Sequence, residues 1–485
     1  MILLLGIIFL LGYAFIAFES KIKIDKAAIA VSLSMILWLL IILNSELFTN
    51  ISDSELFKEY KSNDNNINLK DYIINILLSN NLGGVSEIFF FLFSAMVIVE
   101  LIDIYGGFTV ITNKILTTNK LGLLWILAFL TFFLSAVIDN MTTTIVLLAI
   151  VNKLVSQKND KLLFGSVIVI ASNCGGAWSP IGDVTSILLW SAGRITSFSI
   201  IKYNILPSLI AMLLPLILVS LKLNGKFNFN KKTIQQNELL IKPSQDHNDK
   251  VLNPSELSDN HSTGMLTYKK RGLFLSLGLV GIISIPVFRE LVEVPPFFAA
   301  FAAMGILWII NEILYNKRFT IFRVNDYLGK IDLSTLLFFV GILMSVSALE
   351  CSGLLNNISI LLKNHLSNVY ILNLILGFMS AIIDNVPLVA AALDLFPIVD
   401  SHSLKSLSDS QFLENFVVDG KYWLLLNYCA GIGGNILIIG SSAGVVAMGI
   451  MKINFIWYLK NISLFAIIGY LTGFLFLFME LYFLK

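Results

Sequence analysis

Apolar residues run in blocks of roughly 17–25 along most of this chain, the length a helix needs to cross the hydrocarbon core of a bilayer. Such blocks lie near 2–18, 27–43, 85–102, 162–190, 203–221, 272–288, 296–315, 333–350, 423–450 and 455–482. Two others, 121–152 and 369–399, are too long for one simple span, and each carries Ser-x-x-x-Asp-Asn near its middle. Each predicts either two full spans or a re-entrant helical hairpin. An irregular tip at membrane depth is tolerated only where protein or a wet cavity surrounds it. Two polar stretches interrupt the pattern. Residues 46–72, rich in Asn, Asp, Glu and Lys, predict an extramembrane loop. Residues 222–271, rich in Gln, Asn, Ser and Pro, predict a disordered cytoplasmic linker, since such a composition cannot bury a core. The linker separates an N-terminal half, 1–221, from a C-terminal half, 272–485. The first block lacks a basic stretch ahead of it and a cleavage pattern, so it predicts a retained span and not a signal peptide.

Composition narrows the class. Of 485 residues, 56% are hydrophobic and only 13% charged, with 36 Phe and a mean hydropathy of +0.83. Soluble domains carry about 25% charged residues, so a soluble enzyme, a disordered chain and a secreted disulfide scaffold are excluded. A β-barrel would show short alternating segments instead of long apolar runs. The fold class is an all-α polytopic membrane protein whose main partner is membrane lipid. A net charge of +1 implies no pull toward nucleic acid. Cys174, Cys351 and Cys429 are widely spaced and imply neither a disulfide framework nor a resident metal. No prosthetic cofactor is implied. With segment 19–26 placed inside, most of the 33 Lys and Arg fall inside too, as the positive-inside rule requires. Both termini then lie outside.

The chain repeats itself. FFLSAVIDNMTTTIVLLA begins at Phe132 and LGFMSAIIDNVPLVAAALDLFP at Leu376. Ser135, Ala136, Asp139 and Asn140 recur in register as Ser380, Ala381, Asp384 and Asn385. Downstream, NCGGAWSPIGD from Asn173 matches GIGGNILIIGS from Gly431, so that Gly175, Gly176 and Gly182 recur as Gly433, Gly434 and Gly440. By the charge rule, block 121–152 begins and ends inside and block 369–399 begins and ends outside. Equivalent elements of opposite sidedness define inverted-topology repeats, an architecture of secondary transporters whose site lies near the midplane where broken helices meet.

Gly175-Gly176 with Pro180 and Gly182, and Gly433-Gly434 with Gly440, predict two helix breaks, since Pro lacks an N–H and Gly permits unusual dihedrals. Such breaks present free backbone groups to a ligand; a Gly-rich packing face is the plainer alternative. Asp139, Asp183 and Asp384 lie deep in apolar runs, where an unpaired charge costs at least about 2.5–3.5 kcal/mol. A cap on a hairpin tip is the structural alternative for Asp139 and Asp384. Asn140, Asn173, Asn385, Thr142, Thr143, Thr185, Ser186, Ser441 and Ser442 add neutral oxygens. Together these suit a hard, small cation such as Na⁺ or Li⁺. Desolvation also favours the neutral form of a carboxylic acid, so buried Asp can exchange a proton for a cation. No Lys or Arg falls in a hairpin core or helix break; Arg194 and Lys202 sit at a membrane edge. His247, His261, His365 and His402 all fall in loops. Glu100, Asp103, Glu350 and Asp394 read as rim residues, and Glu87 as either a bundle residue or a headgroup-facing one.

SAVIDNMTTT, NCGGAWSPIGDVTSILLW, SAIIDNVPLVAA and GIGGNILIIGSSAGV resemble the signature segments of NhaD-type sodium/proton antiporters. These belong to the ion transporter superfamily together with arsenite pumps and dicarboxylate/citrate carriers. The resemblance covers roughly 85–220 and 272–482. It implies a homodimer in a bacterial inner membrane, with a scaffold part, a transport part and alternating access. The matching polar positions are Ser135, Asp139, Asn140, Asn173, Asp183, Thr185, Ser380, Asp384 and Asn385, with Ser441 and Ser442 beside them. One departure is that no histidine falls in a span, whereas some members are thought to use membrane histidines in their pH response. The expected function is exchange of Na⁺ or Li⁺ for H⁺, with no enzymatic activity. The alternative is a sodium-coupled carboxylate carrier of the same superfamily. Such carriers typically show Ser-Asn-Thr at the hairpin tips, where this chain reads Ile-Asp-Asn.

Overall fold

The computed structural model describes all residues except 18–21, 53–56, 59, 62–67, 113–118, 156, 224–267, 293, 316–327, 330, 366–367, 383, 401–409 and 484–485. The linker expected at 222–271, and His247, His261 and His402, therefore lie largely or wholly outside the described residues. The described chain is all-helical. The main elements of the first half are α1 (Ile2–Ala17), α2 (Lys26–Leu43), α3 (Leu69–Ile104), α4 (Lys120–Ser135), α5 (Asn140–Leu154), α6 (Lys158–Gly176), α7 (Val184–Ser191) and α8 (Ser197–Ser220). Those of the second half are α9 (Tyr268–Val292), α10 (Pro296–Tyr315), α11 (Leu333–Cys351), α12 (Leu354–His365), α13 (Val369–Ser380), α14 (Asn385–Leu395), α15 (Lys421–Gly433), α16 (Ser442–Met451), α17 (Phe455–Asn461) and α18 (Ser463–Phe483).

Seven of the described helices are long and apolar enough to cross a membrane, and the chain is an integral membrane protein. The block expected at 85–102 is the end of a longer helix. α3 starts at Leu69 and runs 36 residues, passing through a π-helical segment at Ile73–Leu78, so the loop expected at 46–72 ends earlier. The block expected at 455–482 divides into α17 and α18 at Ile462, and α16 and α17 meet at 110°.

Both long blocks are divided at their Asp-Asn pair. α4 stops at Ser135 and α5 restarts at Asn140; α13 stops at Ser380 and α14 restarts at Asn385. At 1.5 Å per residue, these helices of 11 to 16 residues fall short of a roughly 30 Å hydrocarbon core. Each restart is fixed by its cap, because the first N–H groups of a helix have no partner within it. Asp139 accepts from the Met141 N–H at 2.8 Å, and Asp384 caps α14 through the Val386 N–H.

The predicted breaks in the two Gly-rich segments are present. α6 ends at Gly176 and α7 begins at Val184; α15 ends at Gly433 and α16 begins at Ser442. The glycines act differently from the expectation. Positive φ among the described glycines is confined to Gly106, Gly193 and Gly353, so unusual dihedrals are not their use. They allow close approach instead. A Cβ on Gly175 would lie 2.2 Å from the Phe132 carbonyl oxygen, and a Cβ on Gly433 2.2 Å from that of Gly377. The flanking serines repeat the relation. Ser135 donates to the Ser172 carbonyl at 2.6 Å and Ser380 to the Ala430 carbonyl at 2.7 Å. The repeat read in the sequence is thus a repeat of contacts that stitch each helical pair to its broken helix.

The halves interlock. α5 packs on α16 and α7 on α14, each contact crossing from one half to the other, while α8 and α18 pack along each other. That last pair approaches closely because Gly469 and Gly473 face the backbone of Ala211 and Pro207. α2 lies along α11, where Gly341 faces the Ala30 backbone and the Trp38 indole N–H donates to the Met344 carbonyl at 3.0 Å. α3, α9, α10 and α11 pack together beside the interlocked set.

Candidate cation site

Where the interlocked helices meet α3, α9 and α11, a cavity of about 60 Å³ opens. Its polar wall is Asp139, Asn140, Thr142, Asp183, Thr335, Asn385 and Ser442, and the remainder is apolar, including Phe91, Val99, Ile285 and Phe339. Among the described residues no Lys, Arg or His lines it. The N-termini of α5, α7, α14 and α16 all reach this wall. A helix N-terminus carries about half a positive charge and by itself would attract an anion. Here three of the four ends are capped by Asp139, Asp183 and Asp384, and the fourth by Ser441. Carboxylate caps reverse the sign of the field that the helix ends would otherwise set up.

Asp183 is the most deeply buried of the three acids. It is 1% exposed. One carboxylate oxygen accepts from the Thr185 N–H at 3.3 Å and the other from the Asn385 side chain at 3.4 Å. Both contacts are long for hydrogen bonds to a charged acceptor, and no ion pair reaches Asp183 among the described residues. A Cβ added to Gly431 would lie 3.7 Å from its Oδ2 and 3.6 Å from the Thr185 hydroxyl, so the lack of a side chain at 431 leaves room beside both oxygens. Asp139 is better served, taking the Met141 and Thr142 N–H groups and the Thr142 hydroxyl.

A second polar cluster adjoins these acids. Asn140 donates to the Asn173 side-chain oxygen at 3.1 Å. Asn173 in turn donates to Asn435 at 2.9 Å and to Ser441 at 2.8 Å. Ser186 donates to Asn427, whose amide donates to the Ala177 carbonyl at the α6 break. Asn435 belongs to the first of these sets of contacts and Asn427 to the second, although the sequence did not single them out; polar residues in the block at 423–450 were the available signal.

The structure brings together most of the residues chosen from the sequence and divides their roles. Asp139, Asn140, Thr142, Asp183, Asn385 and Ser442 line the cavity. Asn173, Ser441 and Thr185 lie directly behind it. Ser135 and Ser380 hold helices together and do not reach the wall. Gly175, Gly176, Gly433 and Gly434 set the close packing that brings the caps together. Asp384 also lies off the wall. Its carboxylate faces Lys26 of α2 at 4.0 Å. Lys26 escaped the sequence reading because it precedes an apolar block remote in the chain. Among the described residues no group of three His, Cys, Asp or Glu side chains is placed to hold a metal ion, so an ion in this cavity would draw on neutral oxygens as well as carboxylates.

A polytopic helical fold with interlocked halves and a buried acidic cavity between broken helices is that of a membrane carrier. The chain belongs to the CitMHS family, described as citrate transporters, whose profile matches residues 13–408. It is 35% identical over 475 residues to sodium/proton antiporter 1 of Arabidopsis thaliana, covering 97% of this chain and 71% of that protein. To sodium/proton antiporter 2 of the same plant it is 34% identical over 475 residues, 97% of each chain. It is also 28% identical over 416 residues to the Na⁺/H⁺ antiporter NhaD of Vibrio cholerae, covering 79% of this chain and 76% of that one.

Proposed function

We propose that this protein is a secondary carrier that exchanges Na⁺ or Li⁺ for H⁺, with Asp139 and Asp183 binding the cation and the proton alternately. The observation that carries the reading is Asp183, a buried carboxylate whose contacts from the Thr185 N–H and the Asn385 amide are long and to which no ion pair reaches among the described residues. A buried carboxylate left in that state demands a counter-charge or a proton. Na⁺ supplies the first and H⁺ the second, and because both satisfy the same oxygens they exclude one another. Asn385, Thr142, Ser442 and the amides behind them supply neutral oxygens to a partly dehydrated ion. The sodium/proton antiporter names of the relatives support the same reading.

The matched contacts of the two repeats support an inverted-repeat carrier in which each short helical pair is a re-entrant hairpin. By the basic-residue rule, the N-terminus of α11 is cytoplasmic. Thr335 and Phe339 of its first turns line the cavity, so the proposed state offers the site to the cytoplasm. The proposal extends to a homodimer in a bacterial inner membrane with both termini outside.

A second reading, sodium-coupled carboxylate transport, is favoured by the family description and by the convergence of four helix N-termini. The acidic caps, and a cavity wall that holds no basic side chain among the described residues, oppose a polycarboxylate. The two are separated by loading proteoliposomes with a pH gradient and adding Na⁺, Li⁺, K⁺ and citrate in turn. Exchange predicts that Na⁺ or Li⁺ alone collapses the gradient. Uptake of labelled citrate that requires Na⁺ would establish the second reading.

A further inference from the structure

The repeat makes Asp139 and Asp384 formal equivalents, yet their surroundings differ. Asp139 lines the cavity and is satisfied by the first turn of its own helix. Asp384 is off the cavity wall, and its carboxylate lies 4.0 Å from the Lys26 ammonium, the two side chains being 21% and 17% exposed. Lys26 sits at the first position of α2, which lies outside the segments that recur in the sequence. Its ammonium is 4.6 Å from the centre of the Phe338 ring, a cation–π contact that holds it in place. The preceding residue is engaged elsewhere, since Asp25 caps α2 and accepts from Ser334 of α11 at 2.8 and 2.9 Å. From α1, the Tyr13 phenol lies against the Asp384 backbone. Three elements thus converge on one hairpin aspartate and bring it a fixed cation.

We propose that Lys26 is the resident counter-ion of Asp384, a tethered ammonium standing where the pseudo-symmetric partner Asp139 meets the transported cation. The inference rests on the exchange reading of the cavity and adds an asymmetry to it. Only one of the two hairpin acids is open to the transported ion. The other is neutralised by the protein itself and fastens its hairpin to α2 and α11. Lys26 is therefore a positioning and charge-setting residue. It touches no substrate but fixes how many uncompensated negative charges the neighbouring cavity holds, and with that the affinity for Na⁺.

The test is a charge cycle on the full-length protein, measuring Na⁺ binding by titration calorimetry at one alkaline pH and Na⁺-driven proton flux in proteoliposomes. Lys26→Met removes the ammonium beside Asp384 and is expected to tighten Na⁺ binding about tenfold; Asp384→Asn removes a negative charge beside the cavity while keeping the ammonium and is expected to weaken it about tenfold or more. The double variant Lys26→Met/Asp384→Asn restores the balance of charge and is expected to return binding to within about threefold of the parent. Lys26→Arg keeps the charge and the ring contact and is expected to behave as the parent. A merely structural clamp would lower yield and thermal stability without moving Na⁺ affinity in opposite directions. A double variant that retains the full Asp384→Asn defect overturns the inference and makes Asp384 a direct ligand. Lys26→Met with parental affinity also overturns it, and needs only the single variant to fold. A parent that binds no Na⁺ overturns this inference and the exchange reading together, whereas failure of the cycle in a Na⁺-binding parent removes Lys26 alone.

Discussion

Replacing Asp183 by Asn separates stability from function. The two side chains share a shape, so the capping acceptor for the Thr185 N–H at 3.3 Å survives. What is lost is a negative charge on a residue 1% exposed. A cation and a carboxylate about 4 Å apart attract by about 4 kcal/mol at an effective dielectric of 20. Loss of a contact on that scale weakens Na⁺ binding by about a thousandfold, since each 1.4 kcal/mol is a factor of ten. Stability without Na⁺ moves the other way or not at all, because a buried charge with two long hydrogen bonds carries a desolvation cost that Asn removes. In the parent, Na⁺ at a hundred times its Kd adds about 2.7 kcal/mol of stability, read as a rise in Tm of several degrees. In Asp183→Asn that rise is expected to vanish while the Tm without Na⁺ equals or exceeds that of the parent. Paired thermal-shift and proteoliposome flux measurements read both quantities. Asp183→Asn protein that keeps the Na⁺-dependent rise in Tm and the parental KM for Na⁺ refutes the assignment of Asp183 to the site.

Other outcomes follow from the same geometry. Asp139→Asn is expected to abolish Na⁺-driven proton flux while α5 stays capped, and wild-type flux in a folded variant would reduce Asp139 to a cap. Because proton and cation share oxygens, acidification is expected to raise the KM for Na⁺ by about tenfold per pH unit once the site protonates, with a smaller effect on the maximal rate; a pH-independent KM contradicts a shared site. Gly433→Ala places a Cβ 2.2 Å from the Gly377 carbonyl, where about 3.3 Å is the ordinary approach. It is expected to cost roughly 1–3 kcal/mol or more, read as lower yield and Tm, whereas Gly84→Ala, with nothing within 4 Å, serves as the neutral control. Shortening the chain within 230–265 is expected to leave transport near parental, since its polar composition reads as a linker in the sequence and the cost of closing a linker depends only weakly on its length; loss of flux in well-expressed protein would assign that segment a regulatory part.

The membrane class, most of the helices, the repeated segments and the acidic residues that line the cavity were legible in the sequence because each leaves a local signature. A span is a run of apolar residues, and Asp139, Asp183 and Asp384 stand out against such runs. What the sequence did not show depends on contacts between remote segments. The glycines of the breaks mark close packing, as Gly175 on Phe132 and Gly433 on Gly377 make plain, and a glycine's neighbour across space leaves no trace beside it in the chain. Ser135 and Ser380 stand out in the sequence as repeated polar positions of the motifs, and the contacts they repeat, donation to the Ser172 and Ala430 carbonyls, appear only in the fold. The inequality of Asp139 and Asp384 was hidden for the same reason. Their immediate sequences match, and the difference comes from Lys26, more than three hundred residues before Asp384. The amides Asn427 and Asn435 likewise gain meaning only when α15 is placed beside α6.

The central claim is that cation and proton compete for the same cavity carboxylates, Asp139 and Asp183, and proton release on cation binding tests it without any membrane or gradient. Purified protein in weakly buffered, Na⁺-free solution at a pH where the site is protonated is titrated with NaCl while the bulk pH is followed with an indicator dye. Choline chloride and choline citrate serve as controls. The account predicts that saturating Na⁺ or Li⁺ releases about one proton or more per chain, that the controls release none, and that Asp183→Asn abolishes the release. Saturable Na⁺ binding with no proton released would contradict it.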